Sequence, residues 1–313
     1  MTRYIGYPVA IFLTLFVSLH IFALPALAGI NITVSPTKID LTLSSSEIAT
    51  QEVSVRNTGD ETTRVHTYAM DFSIDKENSF TFFEPGYESY SYAAWLSMEE
   101  TEFNLAPGES KNVIVTISVP QELEPGGHYA ALFFEMVPPE AQSGVSVAVA
   151  GRIPSLFYIT IPGVTGADII TNAEIASLLL PSVVEKGSIE VGVIVRNTGN
   201  VHLPIAAKAY FTDFRGREVG ELDLGQAIVL PNSERVIKAT WEGTPFIGKV
   251  KTSIVIGYFD QNGELVNKAA TGNFQVIPWK LILIAVCSLA LLVVLIWRLR
   301  KKFRLRIERK RGD

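Results

Sequence analysis

The pentapeptide Val-Arg-Asn-Thr-Gly occurs twice, within VSVRNTGD at 53–60 and VIVRNTGN at 193–200, the copies 140 positions apart. Each copy ends a run in which apolar residues alternate with others. Val53 and Val55 precede the first; Ile189, Val191, Val193 and Val195 precede the second. An apolar side chain at every second position is the pattern of a strand with one buried face. A chain that spells such a strand and its corner twice is constrained to build one framework twice. The corner itself reads as structural. Asn tolerates left-handed backbone angles and Gly adopts them freely, which suits a reversal of the chain, and no base accompanies the Thr.

The same alternation recurs between Asn, Gly and Pro clusters. It predicts strands near 38–43, 49–57, 62–72, 79–84, 94–98, 111–119, 128–135 and 145–161. A second set follows near 168–175, 188–197, 204–212, 217–224, 227–230, 234–241, 250–259 and 264–275. A second shared corner reinforces the repeat: LAPGESKNVIVTI around Pro107-Gly108 matches VLPNSERVIKATW around Pro231-Asn232. Many short strands with frequent turn signals predict two β-sandwiches, whose sheets bury their alternating faces together. Gly163-Val164-Thr165-Gly166 is the expected joint, giving a first sandwich over 29–162 and a second over 163–275.

The ends are of another kind. Residues 1–28 have Arg3, an apolar run from Val9 to Leu24 and a closing Ala26-Leu27-Ala28, the pattern of a signal peptide. Residues 276–297 predict a transmembrane helix, with Trp279 and Trp297 at its ends, where amphipathic rings prefer the headgroup level. Arg298, Arg300, Lys301, Lys302, Arg304 and Arg306 open a basic tail over 298–313, which holds nine Lys/Arg and two acids. The positive-inside rule then places the tail in the cytoplasm and both sandwiches outside, in a single-pass cell-membrane protein. On a helix Leu299, Phe303 and Ile307 share one face, which suits contact with the inner leaflet. Residues 29–280 carry 17 Lys/Arg against 30 Asp/Glu, a balance that argues against nucleic acid as partner. The one cysteine, Cys287, lies in the span, so no disulfide or cysteine-based metal site is expected outside.

The order VSPTKIDLTL, EVSVRNTGD, WLSMEETEFNLAPGESKNVIVTISVP, EPGGHYAALFFE, then a second sandwich, one membrane helix and a basic tail, resembles the bacterial WxL-interacting surface proteins. That resemblance implies two tandem immunoglobulin-like domains outside the membrane, the first associated with peptidoglycan and the second with a partner surface protein.

Candidate chemistry is sparse. Tyr87, Tyr90 and Tyr92, in FFEPGYESYSYAAWLSMEE, are the expected ligand-contacting rings, since exposed aromatics stack on sugars and anchor interfaces. Trp95 reads as core, and His128-Tyr129 as a hydrogen-bonded corner of the sandwich. DFSIDKENSF lacks the alternating ligands and bend glycine of a calcium loop and reads as an acidic hairpin. Glu99, Glu100 and Glu102 do not face one another across a strand as paired catalytic carboxylates would. No cofactor, metal or enzymatic activity is expected. The sequence favours a membrane-anchored scaffold that holds cell-wall polymer or a partner surface protein. The alternative is a chaperone or export accessory that presents a strand edge to clients.

Overall fold

Alternation in the sequence becomes four sheets, two in each half of the chain. The computed structural model describes residues 31–86, 92–137, 151–163 and 169–310, with side chains as far as Arg300. The first half runs β1 (Ile32–Ser35), β2 (Lys38–Thr42), β3 (Ile48–Asn57), β4 (Thr63–Ile74), β5 (Phe80–Phe83), β6 (Leu96–Met98), β7 (Glu102–Leu105), β8 (Ser110–Ser118), β9 (Gly126–Val137) and β10 (Arg152–Ile161). The second runs β11 (Ala173–Leu179), β12 (Val183–Val184), β13 (Ile189–Asn197), β14 (Leu203–Thr212), β15 (Glu218–Val229), β16 (Glu234–Trp241), β17 (Gly248–Phe259) and β18 (Leu265–Val276). One helix, α1 (Trp279–Lys310), follows.

In the first half a sheet ordered β1-β3-β8-β6 faces one ordered β2-β10-β9-β4-β5, with β7 also paired to β4. Val53, Val55, Val113, Val115 and Ile117 from one meet Leu132, Phe134, Phe157 and Ile159 from the other in a shared core. In the second half β11-β13-β16 faces β12-β18-β17-β14-β15. There Val191, Val193 and Val195 meet Ile205, Ile254 and Ile256. Both halves divide their first strand between two sheets. β1 pairs antiparallel with β3, after which β2 runs parallel to β10. Likewise β11 pairs antiparallel with β13, and β12 runs parallel to β18.

The duplicated pentapeptide is a corner in both halves, but not for the expected reason. Neither its Asn nor its Gly has a positive φ. Asn57 is fully buried and its amide works as a staple: Nδ2 donates to the carbonyls of Glu61 (2.7 Å) and Leu105 (2.9 Å), while Oδ1 accepts from Gly59 N (2.9 Å). Asn197, also fully buried, repeats the set with Val201 (2.7 Å), Val229 (2.8 Å) and Gly199 N (2.8 Å). The glycines are there for close approach. A Cβ on Gly59 would stand 2.9 Å from Asn31 Cβ, and one on Gly199 would run into the Ile170 carbonyl. Left-handed angles appear instead at the second shared corner, at Gly108 (φ 76°) and Asn232 (φ 54°). That corner docks on the first, through Asn57 N to Glu109 O (2.9 Å) and Asn197 N to Ser233 O (3.0 Å).

Other expectations shift in detail. β1, β7 and β12 carry too few residues to announce a period. The two segments expected at 217–224 and 227–230 are one strand, β15, kinked at Gly225 (φ 91°). The segment at 94–98 begins as a 3-10 turn over Ala93–Trp95. The final strand of the first half, expected from 145, is described from Arg152, because 138–150 lie outside the described residues. So do the signal-peptide stretch and most of the joint at 164–168.

The stretch Trp279–Arg300 is long and apolar enough to cross a membrane, about 33 Å at ~1.5 Å per residue. Its apolar window is not buried, and Trp279 and Trp297 are 55% and 62% exposed. The helix does not break where the basic tail begins. It continues through Arg298 and Arg300 and the backbone of Lys301, Lys302, Arg304 and Arg306 to Lys310. The register fixes the stacking order. Val276, at the foot of β18, pairs with Gly248 and Val184, so α1 leaves from one end of the second half. The first half sits on the other, about 40 Å away along 12-residue strands at ~3.3 Å per residue.

Candidate functional site

The tyrosine loop meets its expectation nowhere among the described residues. Tyr87 and Tyr90 lie outside them. Tyr92 is a correction: it is fully buried, its ring 4.2 Å from that of Trp95 and 6.3 Å from that of His128. It turns inward because Asp71, itself 1% exposed, accepts the backbone N–H groups of Tyr92 and Ala93 (both 3.0 Å). Asp71 also takes Gly86 N (2.8 Å), closing the loop from both sides. The inward turn was hinted at by the apolar run Ala93-Ala94-Trp95-Leu96 that follows Tyr92. Burial without a polar partner raises the Tyr92 phenol well above its ordinary value.

The acidic clusters are occupied structurally. Glu102 pairs with Arg64, which holds its carboxyl below the usual range, and Glu100 pairs with Lys111. Asp75 caps the β4–β5 turn, accepting Glu77 N (3.0 Å) and Ser79 N (2.8 Å). No group of three or more His, Cys, Asp or Glu able to hold a metal occurs among the described residues.

What the sequence did not reveal is the junction between the halves. Ile228, near the end of β15, and Leu230, just beyond it, seat against Phe72, Ile74, Tyr129, Phe133 and Tyr158 on the outer face of the first half. The Arg235 guanidinium, 3% exposed, donates to Asp75 O (2.8 Å) across the junction and to Ile228 O (3.1 Å) within its own half. Burial lowers its pKa, and the nearby Tyr158 and Asp75 offset that only in part. Val236 N donates to Lys76 O (2.8 Å) and Asn78 Nδ2 to Val236 O (3.4 Å), so the β4–β5 turn grips one end of β16. On the far side Gly127 N donates to Asn200 O (2.8 Å), and His202 Nε2 stands 3.2 Å from Asp40 Oδ1.

Beside that grip lies a cavity of about 620 Å³, lined by Lys76, Glu77, Asn78, Leu179, Glu190, Ile194, the β15 stretch 224–227 and the β16 stretch 236–238. β15 and β16 are both edge strands. β15 is blunted by its bend at Gly225, which is pinned by Gly225 N to Asp223 Oδ1 (2.8 Å). β16 is not. Val236 turns its backbone away from β13, and by period two Lys238 and Thr240 do the same. The site therefore combines an open stretch of strand edge, a polar turn and an exposed Lys238–Glu190 ion pair (3.0 Å). It is shaped for an extended chain.

A second partial edge exists on β10. Among the described residues β2 covers Leu156–Thr160 and no strand pairs the outer edge of Arg152–Pro154, where Pro154 has no N–H to offer; Ser155 is buried, its Oγ donating to Pro36 O (2.7 Å).

Two buried histidines make stability acid-sensitive. Burial is the main cause of lowered pKa at both. At His202 Asp40 opposes it and Lys38 adds to it, with Tyr158 and Tyr129 rings beside it; at His128 the Glu124 carbonyl opposes it. The unfolded chain takes up these protons near pH ~6.5, before the folded one does. Stability is therefore full above that pH and falls as pH drops toward the folded values, by up to about 1.4 kcal/mol per pH unit for each histidine. Thermal melts from about pH 8 to about pH 5 are expected to fall below neutrality, less so in a His128→Gln/His202→Gln variant. An unchanged profile in that variant refutes the assignment.

No model of a known protein family matches the chain, and no curated protein matches it either. Solved structures with overall similarity include the CFA/I fimbrial chaperone–tip adhesin complex, with 14% identity, TM-score 0.40, and coverage of 80% of this chain and 100% of that one. The CsuC–CsuE chaperone–tip complex of Acinetobacter baumannii gives 14%, 0.39, 76% and 98%, and the Escherichia coli chaperone DraB gives 13%, 0.36, 79% and 97%. Likeness at this level specifies no ligand.

Proposed function

We propose that the chain is a membrane-anchored, extracytoplasmic binding protein of two immunoglobulin-like sandwiches, which holds an extended segment of a partner surface protein in the junction groove. The observation that carries this reading is the unblunted edge of β16, which opens at Lys238 onto a cavity of about 620 Å³ and continues to Thr240 beyond it. An added strand would gain main-chain hydrogen bonds from those residues, and alternate side chains would enter the cavity. The groove runs along β16 from the β4–β5 turn at the junction toward the foot of the sheet, and its junction end is the part farthest from the helix, within reach of another surface protein. The resemblance to WxL-interacting proteins favours the same scaffold role, with the basic tail in the cytoplasm. The Arg152–Pro154 edge, unpaired by β2, favours a second reading, in which the chain is an assembly chaperone that holds client strands only transiently.

A photocrosslinking residue at Lys238 in intact cells, with Asn262 as a remote control, tests the proposal. A surface-protein adduct specific to position 238 is expected. Adducts with wall glycan alone, or none above the control, would overturn it. Irradiating pulse-labelled cells before and after a chase separates the two readings: a scaffold still gives the adduct with labelled partner after the chase, and a chaperone no longer does.

A further inference from the structure

Apolar side chains stand exposed at the end of the second half from which α1 departs. Phe214, Phe246 and Ile247 are 65%, 53% and 56% exposed, at the tips of the β14–β15 and β16–β17 loops. The register puts these loops at the foot of the sheets: Thr212 lies beside Lys251, Gly248 beside Val276 and Ile189 beside Trp241. A water-facing loop has no use for three large apolar tips together.

These tips are held in place. Thr244 Oγ1 donates to Gly187 O (2.6 Å) and accepts from Gly187 N (2.9 Å), locking the β16–β17 loop to the β12–β13 loop. Asp213 accepts Arg215 N (2.8 Å) and Arg217 N (3.0 Å), fixing the turn that carries Phe214. Gly248 leaves room for the Phe214 ring, whose edge would lie 3.2 Å from a Cβ there.

Two residues, Ile277 and Pro278, join β18 to α1, and both ends of that link are tied. Ile277 N donates to Val184 O (2.8 Å), and Lys280 pairs with Glu185 (2.7 Å). A two-residue link spans about 7 Å at most. If Trp279 rests at the membrane surface, the loops beside it have little room to stand clear.

Each ring at this level carries a cation: Lys186 Nζ is 5.6 Å from the Phe246 centroid, Arg215 Cζ 5.0 Å from Phe214 and Lys280 Nζ 5.6 Å from Trp279. Amphipathic groups of this kind settle at the headgroup boundary, ring inward and charge outward. The acids Glu185 and Asp213 are paired, and exposed Glu218 and Glu242 offset only part of the charge of Lys186, Arg215, Lys249 and Lys251. The attraction is therefore apolar and interfacial, with a small positive excess that anionic lipid would reinforce.

We propose that the second half is seated on the bilayer, with Phe214, Phe246 and Ile247 inserted among the headgroups of the leaflet that α1 enters. This rests on the membrane-anchored reading above. It turns the anchor from a tether into a rigid base that holds the junction groove at a fixed height.

The test uses the full chain in vesicles of equal parts phosphatidylcholine and phosphatidylglycerol, with a fluorophore on one cysteine and brominated lipid as quencher. The native Cys287 serves in one sample; Glu242→Cys or Asn262→Cys serves in the others, each with Cys287→Ser. Lipid brominated near the chain ends should quench Cys287. Lipid brominated near the glycerol should quench the label at 242 and shift its emission to the blue, leaving 262 unaffected. Adding Phe214→Ser, Phe246→Ser and Ile247→Ser should abolish quenching at 242 alone. If Cys287 is quenched and 242 behaves like 262, the seating is overturned and the membrane reading stands. If Cys287 is not quenched, both fall.

Discussion

Replacing Asn197 by alanine is expected to destabilise the second half by about 2–4 kcal/mol. The amide satisfies three backbone groups at once, and Val229, whose carbonyl loses its donor, is fully buried. Water cannot take over without opening the corner. Trp241, stacked on Phe211 at 3.7 Å in the same core, reports the loss by fluorescence in chemical unfolding. Asn197→Asp sharpens the test. A carboxylate can still accept from Gly199 N but offers no proton to the two carbonyls that Nδ2 serves. The folded state then favours the protonated acid, so its pKa lies above the unfolded value of about 3.9. The sign follows: this variant gains stability, relative to the parent, as pH falls toward that value. Asn57→Ala should cost the first half a similar amount, and the two costs should add, since the staples share no partner. A loss below ~0.5 kcal/mol in either half would show that the corner does not depend on its buried amide.

That corner also marks how far the sequence could be read. Two copies of one word at the end of alternating valines announced two copies of one framework, and the period-two pattern located most strands because each buries one face. The reason for the word was hidden. Asn57 reaches Leu105, and Asn197 reaches Val229, across 48 and 32 residues, and no local pattern encodes such a bond. β1, β7 and β12, with four, four and two residues, are too short to show a period. Tyr92 misled for a related reason. Aromatic spacing in a loop does not say which ring turns inward, and here the decision lies with Asp71, 21 residues earlier. The groove was the least legible part. Its turn and its strand edge come from opposite halves, joined by Arg235 and Asp75 across 160 residues.

Removing that bridge is the second large expected effect. Arg235→Ala takes the bridging donor from Ile228 O and from Asp75 O, which keeps only Asn78 N (3.2 Å), and opens a void beside Leu230 and Tyr158, the apolar seat between the halves. Arg235→Met fills the void and removes a buried charge that no carboxylate bonds directly, which returns part of the desolvation cost while restoring neither of the guanidinium's hydrogen bonds. The two variants therefore separate packing from hydrogen bonding. Spin labels at Glu52 and Glu264, one exposed site in each half, with Cys287→Ser, measure the outcome as a distance distribution. The parent should give one narrow peak. Arg235→Ala should broaden it severalfold, and Arg235→Met should fall between, while Trp95 and Trp241 show each core still folded. Lowering the pH should broaden the parent's peak too, since protonating His202 beside Asp40 and Lys38 disturbs the opposite side of the same junction. A peak equally narrow in all three proteins would mean that the apolar seat alone orients the halves. A hinge loosened at Arg235 would also release the β4–β5 turn from Val236, so the groove and the rigid junction should be lost together.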